Sequence, residues 1–286
     1  MNEPTLERAV SSLTAVLNQI VVVGGTAHRL FPMHPLAGPP LAPLLTTEDV
    51  DFAAPLELEY DGSRELLQSL LAAGFREEVR GAESSVHTYH LDEHEGAYLQ
   101  FIAPKVGSGE SRTGEPQRKL RFSGLVAERL RDVDLLMRAP WTLELEIGGM
   151  RTPIRVVNPV AFLFQKLLLT ALPSRNRAMQ PMRDDPVEEA GGTKRGKDLL
   201  YVYDTLAIFV DRLEALGVEG ETLCGPLTPK LIRRAKAAHA KLFEGKTEAW
   251  QEAAWAAKGH RNRPPSARQM AVACERGLSI VLGPLL

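Results

Sequence analysis

The chain has 286 residues, 44% of them hydrophobic, enough for one large domain or two modest ones with their own cores. Its 34 Lys and Arg against 36 Asp and Glu leave a formal charge of −2, which excludes a global basic field for nucleic acid and leaves room only for a local groove. No apolar run reaches the roughly 20 residues of a bilayer span. The segment MNEPTLERAV carries acids where a signal peptide carries bases, and Cys224 and Cys274 show no disulfide or metal-ligand spacing, so the sequence reads as cytoplasmic with no membrane partner.

Leu6, Val10, Leu13, Val16, Leu17 and Ile20 recur at helical spacing and predict an opening amphipathic helix through Glu3–Ile20. IVVVGG (Ile20–Gly25) reads as a buried strand ending in a turn. After the proline-laden Phe31–Pro43 comes DVDFAAP (Asp49–Pro55), a second short strand. Ser63–Gly74 is expected to be a helix closed by glycine, and Ser84–Pro104 two strands around an acidic hairpin. Lys105–Lys119 reads as a flexible loop, Leu125–Met137 as a helix, and WTLELEIGGMRTPIRVV as a hairpin about Gly148–Gly149.

From Asn158 the pattern turns helical. NPVAFLFQKLLLTAL starts a helix with proline in its first turn, and Lys194–Gly217 reads as one long helix ending in glycine. Pro173–Thr193 between them reads as a loop, and the rest as helical to the end. The expected fold class is therefore α+β: a mixed β-sheet with flanking helices over residues 1–157, followed by a C-terminal helical domain over residues 158–286.

The chemistry is concentrated near the start. Glycines directly after a buried strand permit positive backbone angles and let amide N–H groups approach an anion such as phosphate; the same pair also serves as a plain tight turn. Asp49 and Asp51 alternate on a strand and so share a face. Side by side they repel; a divalent cation removes that conflict, and Mg²⁺ is held by one or two carboxylates plus substrate phosphates. The competing reading is an exposed edge with acids facing water, against which Val50, Phe52 and Ala53 argue a buried opposite face.

GGTAHRL, then Thr47, then DVDF resembles the first motif of the polymerase-beta-like nucleotidyltransferases, in particular the bacterial group that includes abortive-infection type toxins. AYLQFIAPKVG resembles that superfamily's third-acid strand, FLFQKLLL its lysine-bearing helix, and KRGKDLLYVYDTL its later Lys-Asp helix, so the resemblance spans roughly residues 20–210. It implies a nucleotidyltransferase-like fold with Gly24, Gly25 and Thr26 holding triphosphate oxygens and Asp49 and Asp51 holding Mg²⁺, or Mn²⁺ in its place. Thr47 belongs to the same motif. Transfer of a nucleoside monophosphate from a nucleoside triphosphate to an RNA, protein or small-molecule acceptor would follow. Lys166 and Lys197 are the implied phosphate partners and Asp198 a partner for a lysine or arginine; a solvated helix face is the alternative for each. The third carboxylate is replaced by Gln100, which is neutral and cannot act as a general base, so an inactive nucleotide- or RNA-binding protein of the same fold is the alternative function.

Remaining candidates are weaker. Glu144 and Glu146 substitute for the third acid only if their hairpin reaches the site. His87, His90, Asp92 and His94 look ligand-rich, yet His87 and His90 fall on opposite faces of a strand. His28 and Arg29 are placed for phosphate contact, capping or surface. Pro229–Phe243 is a basic helix whose ordinary meaning is a solvated face, and Trp250 and Trp255 are expected to pack in the helical half.

Overall fold

The structure, a computed structural model, describes residues 4–45, 47, 49–60, 65–80, 86–91, 96–105, 117–119, 123–170, 193–225, 227–244, 248–283 and 286. Most of the two segments read as loops, Lys105–Lys119 and Pro173–Thr193, lies outside these residues, as do Asp92 and His94. The chain divides into two compact units, Met1–Leu30 with Thr46–Asn158, and Phe31–Leu45 with Pro159–Leu286. The sequence assigned Phe31–Leu45 to the first domain; its aromatic anchor explains the difference. The Phe31 ring lies edge-on to Phe162 at 5.4 Å and near Phe209 at 6.0 Å, both in the second unit.

The first unit is built on a mixed sheet. Its elements are α1 (Pro4–Ser12), β1 (Val21–Val23), α2 (Gly24–Leu30), β2 (Asp49–Ala53), α3 (Leu66–Ala72), β3 (Phe75–Arg80), β4 (Val86–Leu91), β5 (Tyr98–Pro104), β6 (Gln117–Lys119), β7 (Val126–Leu130), α4 (Val133–Leu136), β8 (Trp141–Ile147) and β9 (Met150–Val156). Strands run in the order β3-β4-β5-β2-β1-β9-β8, with β7 pairing β5 in parallel and β6 pairing β7. β2 is central, antiparallel to β1 and parallel to β5. One sheet face is apolar: Val50, Phe52, Tyr89, Leu99 and Phe101 are buried, and Phe101 meets Phe52 and Tyr89 with ring centroids 5.9 Å apart. Burying such side chains contributes about 1.5–3 kcal/mol each. The opposite face carries the acids, so the apolar face anchors β2 while its polar face stays available for chemistry.

Several elements differ from the sequence-based expectation. The opening helix stops at Ser12 and is followed by a 3₁₀ turn over Thr14–Val16. Ser11 and Ser12 donate their hydroxyls to the Glu7 and Arg8 carbonyls, a local bonding that weakens helix continuation. All six periodic apolar residues are nevertheless buried. The expected helix at Leu125–Met137 is instead β7 followed by the short α4, because Val126–Leu130 finds parallel pairing with β5 and Asp132 takes a left-handed conformation at φ 63°. β3 has no counterpart in the sequence reading, and Gln117–Lys119, read as loop, is β6. The β8–β9 hairpin turns at Gly148 and Gly149, both at positive φ, as a two-residue hairpin requires.

The second unit is helical: α5 (Pro159–Thr170), α6 (Lys194–Ile208), α7 (Leu213–Cys224), α8 (Pro229–Phe243), α9 (Glu248–Lys258) and α10 (Ala267–Val281). Thr193, Thr228 and Ser266 accept backbone N–H bonds at the starts of α6, α8 and α10, the last as a capping box with Gln269. The single long helix expected at Lys194–Gly217 breaks after Ile208, and Gly217 lies inside α7 rather than ending a helix. A Cβ there would stand 2.9 Å from the Ile280 carbonyl, and one at Gly220 would stand 2.7 Å from that of Val281, so these glycines allow α7 and α10 to approach closely. Trp250 is buried beside Phe243, whereas Trp255 is 56% exposed and does not pack.

Asp204 on α6 is 4% exposed and ion-paired with Arg261. Burial outweighs that pairing and pushes its carboxyl up to about 6. A raised carboxyl favours the fold when protonated, so this contribution is complete below about pH 4 and is lost as pH rises through about 6. Asp204→Asn should therefore gain stability relative to the parent between pH 4 and pH 7, by about 2 kcal/mol. Urea unfolding at both pH values measures it; a constant difference between variant and parent contradicts the assignment.

Candidate active site

The site grows from the junction of β1 and α2. Val21, Val22 and Val23 are buried, and the chain must then reverse into a helix at once. Gly24 makes that turn at φ +65°. A Cβ on it would overlap Oδ2 of Asp51 and lie 3.2 Å from its Cγ. The glycine is thus required twice, by its backbone angle and by the carboxylate packed against it.

Asp51 sits opposite Val23 in the β1–β2 register, and Asp49 is two residues earlier on the same face, both half-buried. Thr26, 1% exposed, donates its hydroxyl to the Asp49 carbonyl at 2.7 Å and so ties α2 to the acidic strand. Its hydroxyl proton is committed there; what Thr26 can offer an anion is its backbone N–H. Arg29 extends the tie by donating to the Thr47 carbonyl at 3.2 Å. Gly25 and His28 are buried within α2, His28 completely, which excludes a surface role for that imidazole.

The same sheet face continues across β5. Gln100 stands beside Asp51 in the parallel register, is 5% exposed, and donates Nε2 to Oε2 of Glu128 at 2.9 Å. Glu128 lies on β7 opposite Ile102, hence on the face of Asp51 and Gln100. Beyond it on β4, His90 Nε2 is 2.8 Å from the Thr88 hydroxyl and 3.4 Å from the Glu78 carboxylate. Sequence reasoning missed Glu128 because it placed that residue on a helix. The only signal was the Val126–Ala127 pair, buried on the strand that now carries it.

A family model described as nucleotidyltransferase matches residues 5–220, which takes in α1 through most of α7 and every residue just described. The chain belongs to this nucleotidyltransferase family. A crystal structure of an antigenic nucleotidyltransferase-like protein from Paracoccidioides brasiliensis is similar at 16% identity and a TM-score of 0.37, covering 86% of this chain and 91% of that one. No curated protein matches the chain in sequence. The mixed sheet with flanking helices followed by C-terminal helices is a nucleotidyltransferase-like fold.

Membership gives Asp49 and Asp51 a chemical context. Two carboxylates on one strand face, one packed where a glycine leaves room, form a hard-oxygen donor set that fits Mg²⁺, since that ion leaves its remaining positions to water and substrate phosphate. Among the described residues no group of three or more His, Cys, Asp or Glu is placed to hold a metal ion. His87 pairs instead with Glu77 at 2.7 Å. Glu144 and Glu146 are exposed on β8, separated from β2 by β1 and β9, and do not replace the third acid.

Within the helical unit, Lys166 on α5 donates Nζ to Asp198 Oδ1 on α6 at 2.7 Å, with both residues buried. Lys166 Nζ also lies 5.3 Å from the Phe162 ring centroid and 5.0 Å from that of Tyr201. Lys197 is half-buried next to Asp198. The Lys166–Asp198 pair joins α5 to α6, and because both charges are buried, removal of either partner would leave the other uncompensated. Among the described residues, no helix is long and apolar enough to cross a membrane.

Proposed function

We propose that the chain transfers a nucleoside monophosphate from a nucleoside triphosphate to an acceptor, using Mg²⁺ held by Asp49 and Asp51, with Mn²⁺ able to take its place. The observation that carries this reading is the Asp51 carboxylate lodged against Gly24 at the strand-to-helix turn, with Asp49 on the same face of β2. The ion would supply charge neutralisation at the α-phosphate and the leaving pyrophosphate. Gly24, Gly25 and Thr26 would meet triphosphate oxygens through backbone N–H groups, and Thr26 and Arg29, by bonding the Asp49 and Thr47 carbonyls, would hold the acidic strand in place. Within the helical unit, the Lys166–Asp198 ion pair fixes α5 to α6. In the reaction, an acceptor hydroxyl would release its proton to solvent and its oxygen would bond the α-phosphorus as the bond to the bridging oxygen breaks and pyrophosphate leaves. Most of the acceleration would then come from positioning and electrostatics.

The acceptor is proposed to be an RNA or protein hydroxyl in the cytoplasm, with a small molecule as the remaining class. Incubating the protein with each α-labelled nucleoside triphosphate, Mg²⁺ and cell extract should yield one labelled class and released pyrophosphate. Gln100 favours a second reading, a nucleotide- or RNA-binding protein that transfers nothing, because the neutral amide removes a base beside Asp51. Triphosphate binding with no labelled product in any extract would select that reading.

A further inference from the structure

Asp204 and Arg261 meet in the wall of a cavity that lies wholly within the helical unit. It holds about 330 Å³ and is lined by α6, by residues of the 40–44 segment and by the connection from α9 to α10. It shares Leu41, Tyr203 and Ala207 with a neighbouring cavity of about 700 Å³, also formed by this unit alone. Arg261 donates Nη2 to Asp204 Oδ1, and the two side chains are 6% and 4% exposed. A guanidinium and a carboxylate side by side ordinarily bond twice. Here one bond is made, and Arg261 Nε and Asp204 Oδ2 are buried with no hydrogen-bond partner among the described residues. A buried donor and a buried acceptor left open on two residues of one cavity wall call for a ligand or ordered water to take them.

The rest of the wall restricts what that ligand is. Tyr203, Pro40, Pro264 and Pro265 present flat rings, with Leu44 and Ile208 as apolar surroundings. The Arg261 Cζ lies 5.9 Å from the Tyr203 ring centroid. Because Asp204 and Arg261 offset one another, Arg263, which is exposed, carries the net charge of the lining. A planar body, an edge with a donor next to an acceptor, and a negative group together describe a nucleotide. We infer that this cavity is a second nucleotide site, which takes a nucleoside monophosphate without a metal ion. The base edge bonds Asp204 Oδ2 and Arg261 Nε, and the phosphate pairs with Arg263. The volume is near the lower end of the range of about 300–1,000 Å³ usual for ligand cavities, which suits one small ligand. Leu41 lines both cavities and is 78% exposed, so it is the part of the wall that yields most easily as a base seats against the two closed atoms. The inference does not rest on the proposed transfer reaction.

Calorimetric titration of the full chain with the 5′-monophosphates of adenosine, guanosine, cytidine and uridine, each in EDTA, tests this away from any divalent cation. At least one of the four is expected to bind, at one per chain. Arg263→Glu changes an exposed side chain and should weaken that binding by about tenfold or more, the scale of one lost charge-assisted hydrogen bond. Asp204→Leu combined with Arg261→Met removes the buried pair together and leaves neither charge uncompensated, so the fold is expected to hold. This double variant should also lose about tenfold or more in affinity. Asp51→Asn, in the other unit, should bind the monophosphate as the parent does. Circular dichroism checks each fold, and should the double variant lose its own, Arg263→Glu alone decides. No binding of any of the four, or parent-like affinity in Arg263→Glu or in a folded double variant, overturns the inference. A loss in Asp51→Asn also overturns it, because the monophosphate would then be bound at the acidic strand. The proposed transfer reaction is untouched by these results, since its own test requires Mg²⁺ and a nucleoside triphosphate.

Discussion

Asp51→Asn is expected to lower the proposed Mg²⁺-dependent nucleotidyl transfer by at least about a hundredfold, and Asp49→Asn nearly as much, the scale of losing one preorganised charge contact in an active site. Asparagine keeps the shape of the side chain and removes the charge that would attract the cation. Both aspartates are only half-buried, and β2 is anchored by Val50 and Phe52 on its other face, so the fold is expected to persist. Calorimetric titration with nucleoside triphosphate, with and without Mg²⁺, measures the binding part, and circular dichroism checks the fold. Unchanged Mg²⁺-dependent affinity in both variants removes the metal site; loss of the fold in both assigns the pair a structural role.

Gly24→Ala should cost about 1–2 kcal/mol from the left-handed backbone alone, before any steric term. Its Cβ also overlaps the Asp51 carboxylate, which must move. Stability and nucleotide affinity are therefore expected to fall together, the latter by at least tenfold. Gly148→Ala supplies the comparison, because Gly148 has φ +58° with nothing within 4 Å of an added Cβ. It carries the backbone strain without the carboxylate, so its affinity should match the parent. Parent-like affinity in Gly24→Ala would mean that the position of Asp51 against the turn is immaterial to binding.

Features set by local chemistry were legible in the sequence. The run of valines ending in glycine gave β1 and the turn into α2, the alternation of Asp49 and Asp51 gave a shared face, and Gly148–Gly149 gave the hairpin. Pro159 likewise marked the start of α5. Features set by distant partners were not legible. FREEVR becomes β3 only by pairing along β4, and VAERL becomes β7 only because β5 offers an edge, so Glu128 was placed on a helix and its bond to Gln100 had no sequence signal. Gly217 shows the same limit in the helical unit: a glycine that ends a helix and one that admits a neighbouring helix look alike until Ile280 is seen beside it. The proline-rich Phe31–Leu45 segment went to the second unit because the Phe31 ring finds Phe162 and Phe209 there, a contact no spacing rule predicts.

The most direct test is diffraction from crystals of the chain grown with Mg²⁺ and a non-hydrolysable nucleoside triphosphate. The predicted result is one cation about 2.0–2.1 Å from a carboxylate oxygen of both Asp49 and Asp51, with triphosphate oxygens against the backbone of Gly24 and Gly25. A triphosphate and cation bound elsewhere, with neither aspartate coordinated, would contradict the account.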